Sequence, residues 1–526
     1  MMNKKLMFLA ALLLLCFMLA ACSVASDTGQ NANGKAAADN SAAGKTPKHL
    51  TVALFWLGSN LDPAEGWNGW TLARAAIGET LVQFDANMKL VPKLADSWER
   101  ADNTTWLFHI RDGVTFHNGN PVTAEAVKNS IERSLTLNER GKTTLPVASM
   151  TAEGQNLTIK TTKPYASLLG NIAEPLFVIV DTTADTGKFV SKPIATGPFM
   201  VTSYTSDREI EVSRYDGYWG GAADVEGITF KYIKDDNTRA LALQTGEIDV
   251  ASNVGRSSLS LFDNNPDYVI DEIASLRTQF VWMNYKNGLL SDVAVRKALS
   301  YGIDRETYAK TLIGGKAAKG PFTSALPFGY DQITAYDYNS EKANQLLTDA
   351  GYVDTNGDGI RDKNGKKLEF GLILNSAYES DSTVAAAMQA QLKEIGVSIK
   401  ITSYEDLTDK QKSGDFDLCL SSINTGITGD PQYILDFYFK TGAEWNAGRY
   451  SNLKLDAVIE RLNAEFDLQK RYELAAEAQQ IILNDAAYMF VTYTPINIVS
   501  KSFVKGATMY PIDFYLLDNQ IRIEKR

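Results

Sequence analysis

The sequence predicts a mixed α/β protein built from several domains. Up to about residue 275, short apolar stretches such as residues 106–110 alternate with polar turns, which is typical of β-strands. From about residue 290 to 490, segments with helical spacing alternate with strand-like segments. The 526 residues are 44% hydrophobic, which is ample for several cores. At about 150 residues per domain, the length suggests three or four domains.

Strands are expected in the first half at residues 50–54, 106–110, 209–212 and 228–233. The second half begins with a helix capped by Ser291 or Asp292. The elements expected after it are a helix over 340–351, a strand over 368–374, a helix over 383–395, a strand over 397–401, a strand over 416–420 and one helical stretch over 453–484. A strand, a helix and a strand in that order predict a right-handed parallel crossover.

Residues 1–22 have the pattern of a lipoprotein signal peptide. A basic start precedes an apolar run over residues 6–19, and small residues then lead into Cys22. Cys22 is therefore the expected lipidation site, with a plain secretory signal or an anchor helix as alternatives. Residues 23–47 are rich in Ser, Ala, Gly and Asn, which predicts a flexible tether. The expected location is extracytoplasmic, with the lipid anchoring the chain to the cell membrane.

The net charge and the scarcest residue types exclude several classes of function. The net charge of −11 argues against nucleic acid as a partner. Of three cysteines, Cys16 would leave with the signal and Cys22 would carry lipid, so Cys419 alone would remain and no intrachain disulfide is expected. The three histidines have no metal-ligand spacing. Neither a Gly-x-Ser-x-Gly nor a His-Glu-x-x-His motif occurs, so the chain is not expected to be an enzyme.

Several motifs recur along nearly the whole chain after the tether. They are Leu61-Asp62-Pro63, LVPKLADSW over 90–98, the segment 106–127, TGPF over 196–199, GEID over 246–249, VRKALSYGIDRE over 295–306 and Gly429-Asp430-Pro431. Together they resemble the extracytoplasmic solute-binding proteins of ABC transporters, in the peptide/nickel family (family 5).

The resemblance implies a two-lobed, periplasmic-binding-protein-like fold of type II with an extra inserted domain. Lobe I would comprise residues 48–80, 194–275 and 494–526, the inserted domain II residues 81–193, and lobe III residues 276–493. The lobes would close around a small solute by hinge motion. Expected partners are an ABC permease and ATPase complex, and the chain is expected to act as a monomer.

A loop after the first motif supplies candidate ligand contacts. Trp67, Asn68 and Trp70 lie there, and each buried indole N–H needs a hydrogen-bond partner. In the resembling family this loop faces the cleft; a packed loop is the alternative.

The polar loop after strand 416–420 is the second candidate region, because binding loops often follow strand ends. Its candidates are Asn424, Thr425, Gly426, Ile427 and Asp430. The dipeptide-binding branch commonly has an Asp at the position of Ile427, which binds the peptide ammonium. Its absence weakens a free-dipeptide interpretation unless Asp430 substitutes.

The nickel-chelate branch commonly has an Arg in domain II and a Trp before the Asp-Pro pair. Here those places look like Glu174-Pro175-Leu176 and Thr425, so Arg140 and Arg449 are candidate replacements that could bind a ligand carboxylate. Tyr285 and Trp445 could supply apolar walls of the site or belong to the core, and Asn446 completes the candidate set.

Residues 354–362 contain a DxNxDG loop with alternating oxygen ligands. Asp354, Asn356, Asp358, the Ile360 carbonyl and Asp362 could hold a weak structural Ca²⁺. The bidentate Glu expected at the twelfth position is replaced by Gly365, so a solvated turn is the alternative. No cofactor is otherwise required.

The predicted function is therefore that of a substrate-binding lipoprotein of an ABC importer. Because histidines are so few, a nickel cargo would have to arrive as a chelate with a small organic ligand. A di- or oligopeptide cargo is the alternative. A surface hydrolase, and an adhesin or signalling receptor, are remoter ones.

Overall fold

A computed structural model of the chain describes residues 48–184 and 186–524. The predicted signal peptide and tether, with Cys22, lie outside the described residues. No helix within the described part combines the length and apolar character that a membrane crossing requires.

Twenty-one strands are present in the described part of the chain. In chain order they are β1 (His49–Leu54), β2 (Val82–Phe84), β3 (Leu90–Pro92), β4 (Ala95–Arg100), β5 (Thr105–Ile110), β6 (Val147–Glu153), β7 (Asn156–Thr161), β8 (Phe199–Thr205), β9 (Glu209–Arg214), β10 (Gly227–Tyr232), β11 (Val250–Ser252), β12 (Tyr268–Met283), β13 (Lys316–Ala317), β14 (Asp362–Lys363), β15 (Lys366–Lys367), β16 (Glu369–Asn375), β17 (Ser398–Tyr404), β18 (Leu418–Asn424), β19 (Tyr488–Lys501), β20 (Val504–Lys505) and β21 (Arg522–Ile523).

The α-helices follow the same order. They are α1 (Gly69–Arg74), α2 (Ala124–Leu137), α3 (Gly141–Thr144), α4 (Leu168–Ile172), α5 (Asp236–Thr245), α6 (Arg256–Leu259), α7 (Val293–Tyr301), α8 (Arg305–Thr307), α9 (Ser340–Asp349), α10 (Glu379–Glu394), α11 (Thr408–Ser413), α12 (Pro431–Ile434), α13 (Leu453–Ala464) and α14 (Leu468–Asn484). Short 3₁₀ turns occur at Pro175–Phe177 and Thr186–Lys188, and π-helical turns at Tyr308–Ile313 and Leu435–Phe439.

One eleven-stranded sheet organises the molecule and confirms the mixed α/β class. Its order is β17-β16-β18-β12-β19-β11-β1-β10-β9-β8, with β13 also pairing with β19. β16 and β17 pair in parallel and are joined by α10, so the parallel crossover is confirmed. A separate four-stranded sheet, β4-β5-β7-β6, packs against α2.

The two long strands β12 and β19 pair antiparallel in the middle of the large sheet and join its two halves. One core lies on the β1 side and includes Leu50 and Phe230. Another lies on the β16 side and includes Leu372 and Leu420. The expected lobe boundaries at 275/276 and 493/494 fall inside these two strands. The boundaries themselves stay a prediction.

Several expected elements have different limits in the structure. The helical stretch expected over 453–484 consists of two helices, because α13 ends at Ala464 and the side chain of Asp467 caps α14 by accepting from the Lys470 N–H. α10 begins at Glu379, earlier than expected. β18 extends to Asn424, because the sheet register with β12 continues as far as the Arg277–Asn424 pair.

Candidate functional site

The pairing of the two long strands, β12 and β19, is interrupted in the middle of the large sheet. Between Ala274 and Thr278 the register of β12 with β19 jumps, so that three residues of β12 face one residue of β19. Such bulges bend a strand and re-aim its side chains. Arg277 is the last residue of this bulge, and its side chain lines a neighbouring cavity.

That cavity has a volume of about 300 Å³, at the small end of the range of about 300–1,000 Å³ for small-molecule sites. Eight aromatic side chains line it: Phe55, Trp56, Trp67, Trp70, Trp282, Tyr378, Tyr438 and Trp445. Aromatic walls offer a large contact area while leaving few polar groups to set orientation. The polar groups therefore decide which ligand chemistry fits.

Two arginine side chains, Arg74 and Arg277, reach the cavity and share Asp513. Arg277 Nε donates to the Asp513 carboxylate at 2.5 Å, while Arg74 Nε and Nη2 donate to the Asp513 backbone carbonyl at 3.1 and 2.8 Å. Burial lowers the pKa of Arg74 to about 10, although Asp513 opposes that shift. Burial also acts to lower the pKa of Arg277, but Asp513 outweighs it and the pKa is raised. Both guanidiniums are charged at neutral pH, and together they outnumber the Asp513 carboxylate.

Three buried N–H donors on the lining residues have no acceptor within the described chain. They are Arg74 Nη1, Trp282 Nε1 and Trp445 Nε1. An unsatisfied buried donor costs about 1–3 kcal/mol, and native proteins leave few of them. The three donors therefore favour a ligand that brings acceptor atoms, such as carboxylate oxygens.

A second cavity of about 330 Å³ adjoins the first, and the two share Phe55, Arg277, Tyr378 and Ser422. Its lining includes the carboxylates Asp236, Glu272 and Glu379. Burial raises the pKa of Asp236; Arg239 opposes the shift and Glu379 adds to it. Carboxylates outnumber arginines in this cavity, which Arg256 and Arg277 also line, whereas in the first cavity Arg74 and Arg277 outnumber Asp406.

Five of the predicted ligand contacts line the first cavity: Trp67, Trp70, Asn424, Ile427 and Trp445. The rings of Trp67 and Trp70 meet edge to face with their centroids 5.5 Å apart. The Asn424 side chain donates to the Ile512 carbonyl at 2.7 Å, so part of its hydrogen-bonding capacity is already used. Ligand contact by these five residues stays a prediction.

Arg140 and Asn68 lie behind the wall rather than in it. The Arg140 guanidinium pairs with Glu174 at 3.2 Å and lies 3.5 Å from the centre of the Trp67 ring. Asn68 donates to the Asn60 side-chain oxygen at 2.8 Å. The structure therefore does not place either side chain on the cavity.

The remaining predicted residues of the 424–431 loop serve the packing of the loop. The Thr425 hydroxyl donates to the Leu276 carbonyl at 3.1 Å, and a Cβ on Gly426 would come within 2.7 Å of Leu276. Asp430 accepts two hydrogen bonds from Arg471, at 3.2 and 2.6 Å. Asp430 is thus already paired, which leaves it a poor partner for a ligand ammonium.

Tyr285, Asn446 and Arg449 line neither cavity. The Tyr285 ring packs on Tyr450 at 5.6 Å, and Asn446 accepts from the Tyr488 hydroxyl at 2.5 Å. Arg449 has a positive φ of 61° and donates to the Asn446 carbonyl at 3.4 Å. Their contacts support the fold around the site.

Three lining residues that matter most here were not among the sequence-predicted ones: Arg74, Arg277 and Trp282. A signal was present for Arg277, because it stands inside an otherwise buried strand segment, where a charge is costly unless it is paired or functional. The partner Asp513 lies so far along the chain that spacing alone could not reveal it.

All three histidines have partners away from the cavities. His49 bonds Thr229, His109 bonds Asp96 and His117 bonds the Gly197 carbonyl. Burial lowers the pKa of His117 to about 4, so it is neutral at neutral pH. Within residues 48–184 and 186–524, no group of three His, Cys, Asp or Glu side chains could hold a metal ion.

The predicted calcium loop is a network of turn hydrogen bonds. Both Asp354 oxygens accept from backbone N–H groups, Asp358 pairs with Lys367, and buried Asp362 accepts from Thr355. The acidic side chains thus have partners already. Calcium binding by this loop stays a prediction.

Comparison with known proteins identifies relatives over nearly the whole described chain. The family model described as bacterial extracellular solute-binding proteins, family 5 Middle, matches residues 89–446. The nickel-binding protein NikA of Staphylococcus aureus is 28% identical over 450 residues, covering 85% of this chain and 89% of that protein. The oligopeptide-binding protein AppA of Bacillus subtilis is 27% identical over 455 residues, covering 82% and 83%.

Solved structures agree with these relationships. S. aureus NikA in complex with Ni(L-His)₂ superposes with a TM-score of 0.82 at 27% identity, covering 91% of this chain and 100% of that chain. B. subtilis AppA in complex with a nonapeptide has a TM-score of 0.79 at 23% identity, covering 91% and 100%. These likenesses confirm the predicted two-lobed fold of the type II periplasmic binding proteins.

Proposed function

Because the chain belongs to the bacterial extracellular solute-binding proteins of family 5, we propose that it captures a nickel chelate in the aromatic cavity. It serves as the substrate-binding component of an ABC importer, so the open question is the cargo. The observation that carries the proposal is the set of three buried donors without acceptors, on Arg74, Trp282 and Trp445, in a cavity that the Arg277 side chain lines as well. A chelate with carboxylate groups supplies the missing acceptors, and carboxylate oxygens are good partners for guanidinium groups.

The protein itself is not expected to coordinate the metal. No histidine lines the cavity, and the one described cysteine, Cys419, is a buried thiol whose pKa burial raises to about 12. Nickel ligands would come from the small organic molecule, with the protein binding its outer oxygen atoms. Nickel bound by L-histidine has the required composition, and S. aureus NikA has been crystallised with such a complex.

The test compares the thermal stability of the purified protein with four additions: nickel chloride alone, L-histidine alone, nickel with two equivalents of L-histidine, and short peptides. We expect only nickel with L-histidine to raise the Tm. A ligand at a hundred times its Kd stabilises by about 2.7 kcal/mol. Equal stabilisation by nickel alone would contradict the chelate proposal, because it would require ligands from the protein.

A peptide cargo is the second candidate, and the adjoining acidic cavity favours it because a longer ligand could extend from one cavity into the other. Against it, Asp430 is already paired with Arg471 and the neighbouring Ile427 is apolar. A Tm increase with a di- or oligopeptide but not with nickel and L-histidine would establish this alternative. Formation of products from the peptides would instead indicate a hydrolase.

We further propose that lipid on Cys22 anchors the chain to the membrane and that residues 23–47 act as a tether. The chain would work as a monomer with its permease and ATPase and would catalyse no reaction. Mass spectrometry of the N-terminal fragment tests the anchor: a diacylglycerol-modified Cys22 is expected, and an unmodified cysteine would contradict it.

A further inference from the structure

Arg140 and Glu174 form a buried ion pair directly behind the aromatic wall. Their side chains are 6% and 0% exposed, and Arg140 Nη2 donates to Glu174 Oε1 at 3.2 Å. The same Glu174 oxygen accepts from Trp70 Nε1 at 3.1 Å. The guanidinium lies 3.5 Å from the centre of the Trp67 ring, which is a close cation–π contact. One ion pair therefore contacts both indoles.

The guanidinium also ties this wall to two other segments. Arg140 Nη1 donates to the Tyr433 hydroxyl at 3.2 Å, and Nη2 also donates to the Gly66 carbonyl at 3.2 Å. Burial acts to lower the pKa of Arg140, but Glu174 and Tyr433 outweigh it and the pKa is raised. Arg140 thus stays charged while it joins the Trp67 loop, Glu174 and α12.

The Arg140–Glu174 ion pair leaves two of its polar atoms without a hydrogen bond. Arg140 Nε and Glu174 Oε2 are buried and have no hydrogen-bond partner in the described chain. Buried ion pairs often contribute little net stability compared with apolar packing. The presence of a charged pair at this place is therefore better explained by a role other than stabilising the fold.

We propose that the Arg140–Glu174 pair is a positioning device, which holds the indoles of Trp67 and Trp70 in the geometry that cargo binding needs. It acts through these rings and does not touch the cargo, because the Trp67 ring covers the guanidinium and Arg140 lines neither cavity. The inference rests on the proposed function in that it takes the aromatic cavity to be the cargo site.

The test uses Arg140→Lys, which keeps the charge but loses the planar fork and its contact with the ring. Arg305→Lys is the matched control: Arg305 is equally buried and donates to backbone carbonyls, but lines neither cavity. Two readouts are compared in the purified proteins. One is the near-ultraviolet circular dichroism of Trp67 without cargo, isolated by subtracting the spectrum of a Trp67→Phe version of each variant. The other is the Kd for nickel with two equivalents of L-histidine.

We expect Arg140→Lys to lose the Trp67 signal and to weaken binding about tenfold, while Arg305→Lys changes neither. An unchanged Trp67 signal would overturn the proposal. If binding were weaker all the same, Arg140 would act on the cargo directly and not through the ring. If Arg140→Lys does not fold, Glu174→Gln, which keeps one acceptor oxygen, must give the same two losses. If the wild-type protein does not bind this probe, the cargo proposal fails, and the circular dichroism alone decides whether the pair positions the rings.

Discussion

A buried carboxyl group, that of Asp381, lies next to the crossing strands of the large sheet. It is 1% exposed, in the first turn of α10. Gln279 Nε2 donates to Asp381 Oδ1 at 2.7 Å, and the Gln279 oxygen accepts from the Thr492 hydroxyl at 2.9 Å. The other carboxyl oxygen, Oδ2, has no hydrogen-bond partner within the described chain. Asp381 is thus connected to both β12 and β19 while being poorly suited to carry a charge.

The size of the effect follows from the pKa of this carboxyl. Burial raises the pKa of Asp381 from 3.8 to about 7, although the hydrogen bond from Gln279 and the charge of Arg277 act to lower it. A raised pKa means that the folded state holds the proton more tightly than the unfolded state does. The stabilisation is complete below pH 3.8 and is lost as pH rises to about 7, which amounts to about 4 kcal/mol in all.

The Asp381→Asn variant removes this titration while keeping an oxygen that can accept from Gln279. Urea unfolding of both proteins at pH 5, 6, 7 and 8 gives their free energies of unfolding. Relative to the variant, the wild type should lose about 3 kcal/mol between pH 5 and pH 8, because most of its proton is lost in that interval. The difference between the two proteins cancels the contributions of all other titrating groups, including the histidines, to the free energy of unfolding.

A constant offset between the two proteins is expected as well, since the new amide N–H has no acceptor at this place. The change of this difference with pH, and not its constant part, reports the titration of Asp381. A difference between wild type and variant that stays constant from pH 5 to pH 8 would refute it, because Asp381 would then be ionised in the folded state across the whole interval.

Three further outcomes can be checked with single substitutions. Trp282→Phe should weaken binding of nickel with L-histidine about tenfold in calorimetric titration, because it removes a donor that the folded chain leaves unpaired, and it should also lower the Tm, because the smaller ring leaves a cavity at a buried position; unchanged affinity would mean that Trp282 does not contact the cargo. Arg277→Met should weaken binding at least a hundredfold and also lower stability, because Asp513 loses its charge partner; wild-type affinity would remove Arg277 from the site. The Cys419 thiol, compared with Cys419→Ser, should react with a thiol reagent only after unfolding, since it is buried and its pKa is raised to about 12; rapid labelling of the folded protein would contradict this burial.

Local sequence patterns predicted the limits of a helix or strand well where a single residue determines where it begins or ends. Asp292 begins α7 because its side chain accepts from the Ala294 N–H, and this cap is evident from residue type and position. The break between α13 and α14 was missed because the apolar spacing continues across it. Asp467 interrupts the helix there by capping the next one.

The candidate site shows where sequence reasoning ends. Trp67 and Trp70 could be found because two indoles in a polar loop are unusual. The pairing of Arg277 with Asp513 joins residues more than two hundred positions apart, and only the folded sheet brings them together. Arg140 is a predicted ligand contact, but its spacing in the sequence does not reveal the buried ion pair that it forms with Glu174. Charges that compensate one another across the fold are invisible to motif spacing.

The strand order of the large sheet also dictates when this protein can fold. β1, the first strand made, pairs with β10 and β11, and β11 in turn needs β19 near the end of the chain. The core around Leu50 is completed only by residues as late as Ile521. Contacts this distant in sequence form slowly. A growing chain can therefore pair β1 with β10 and β11 about halfway through synthesis, but it cannot complete this half of the sheet and its core until almost all of it has been made.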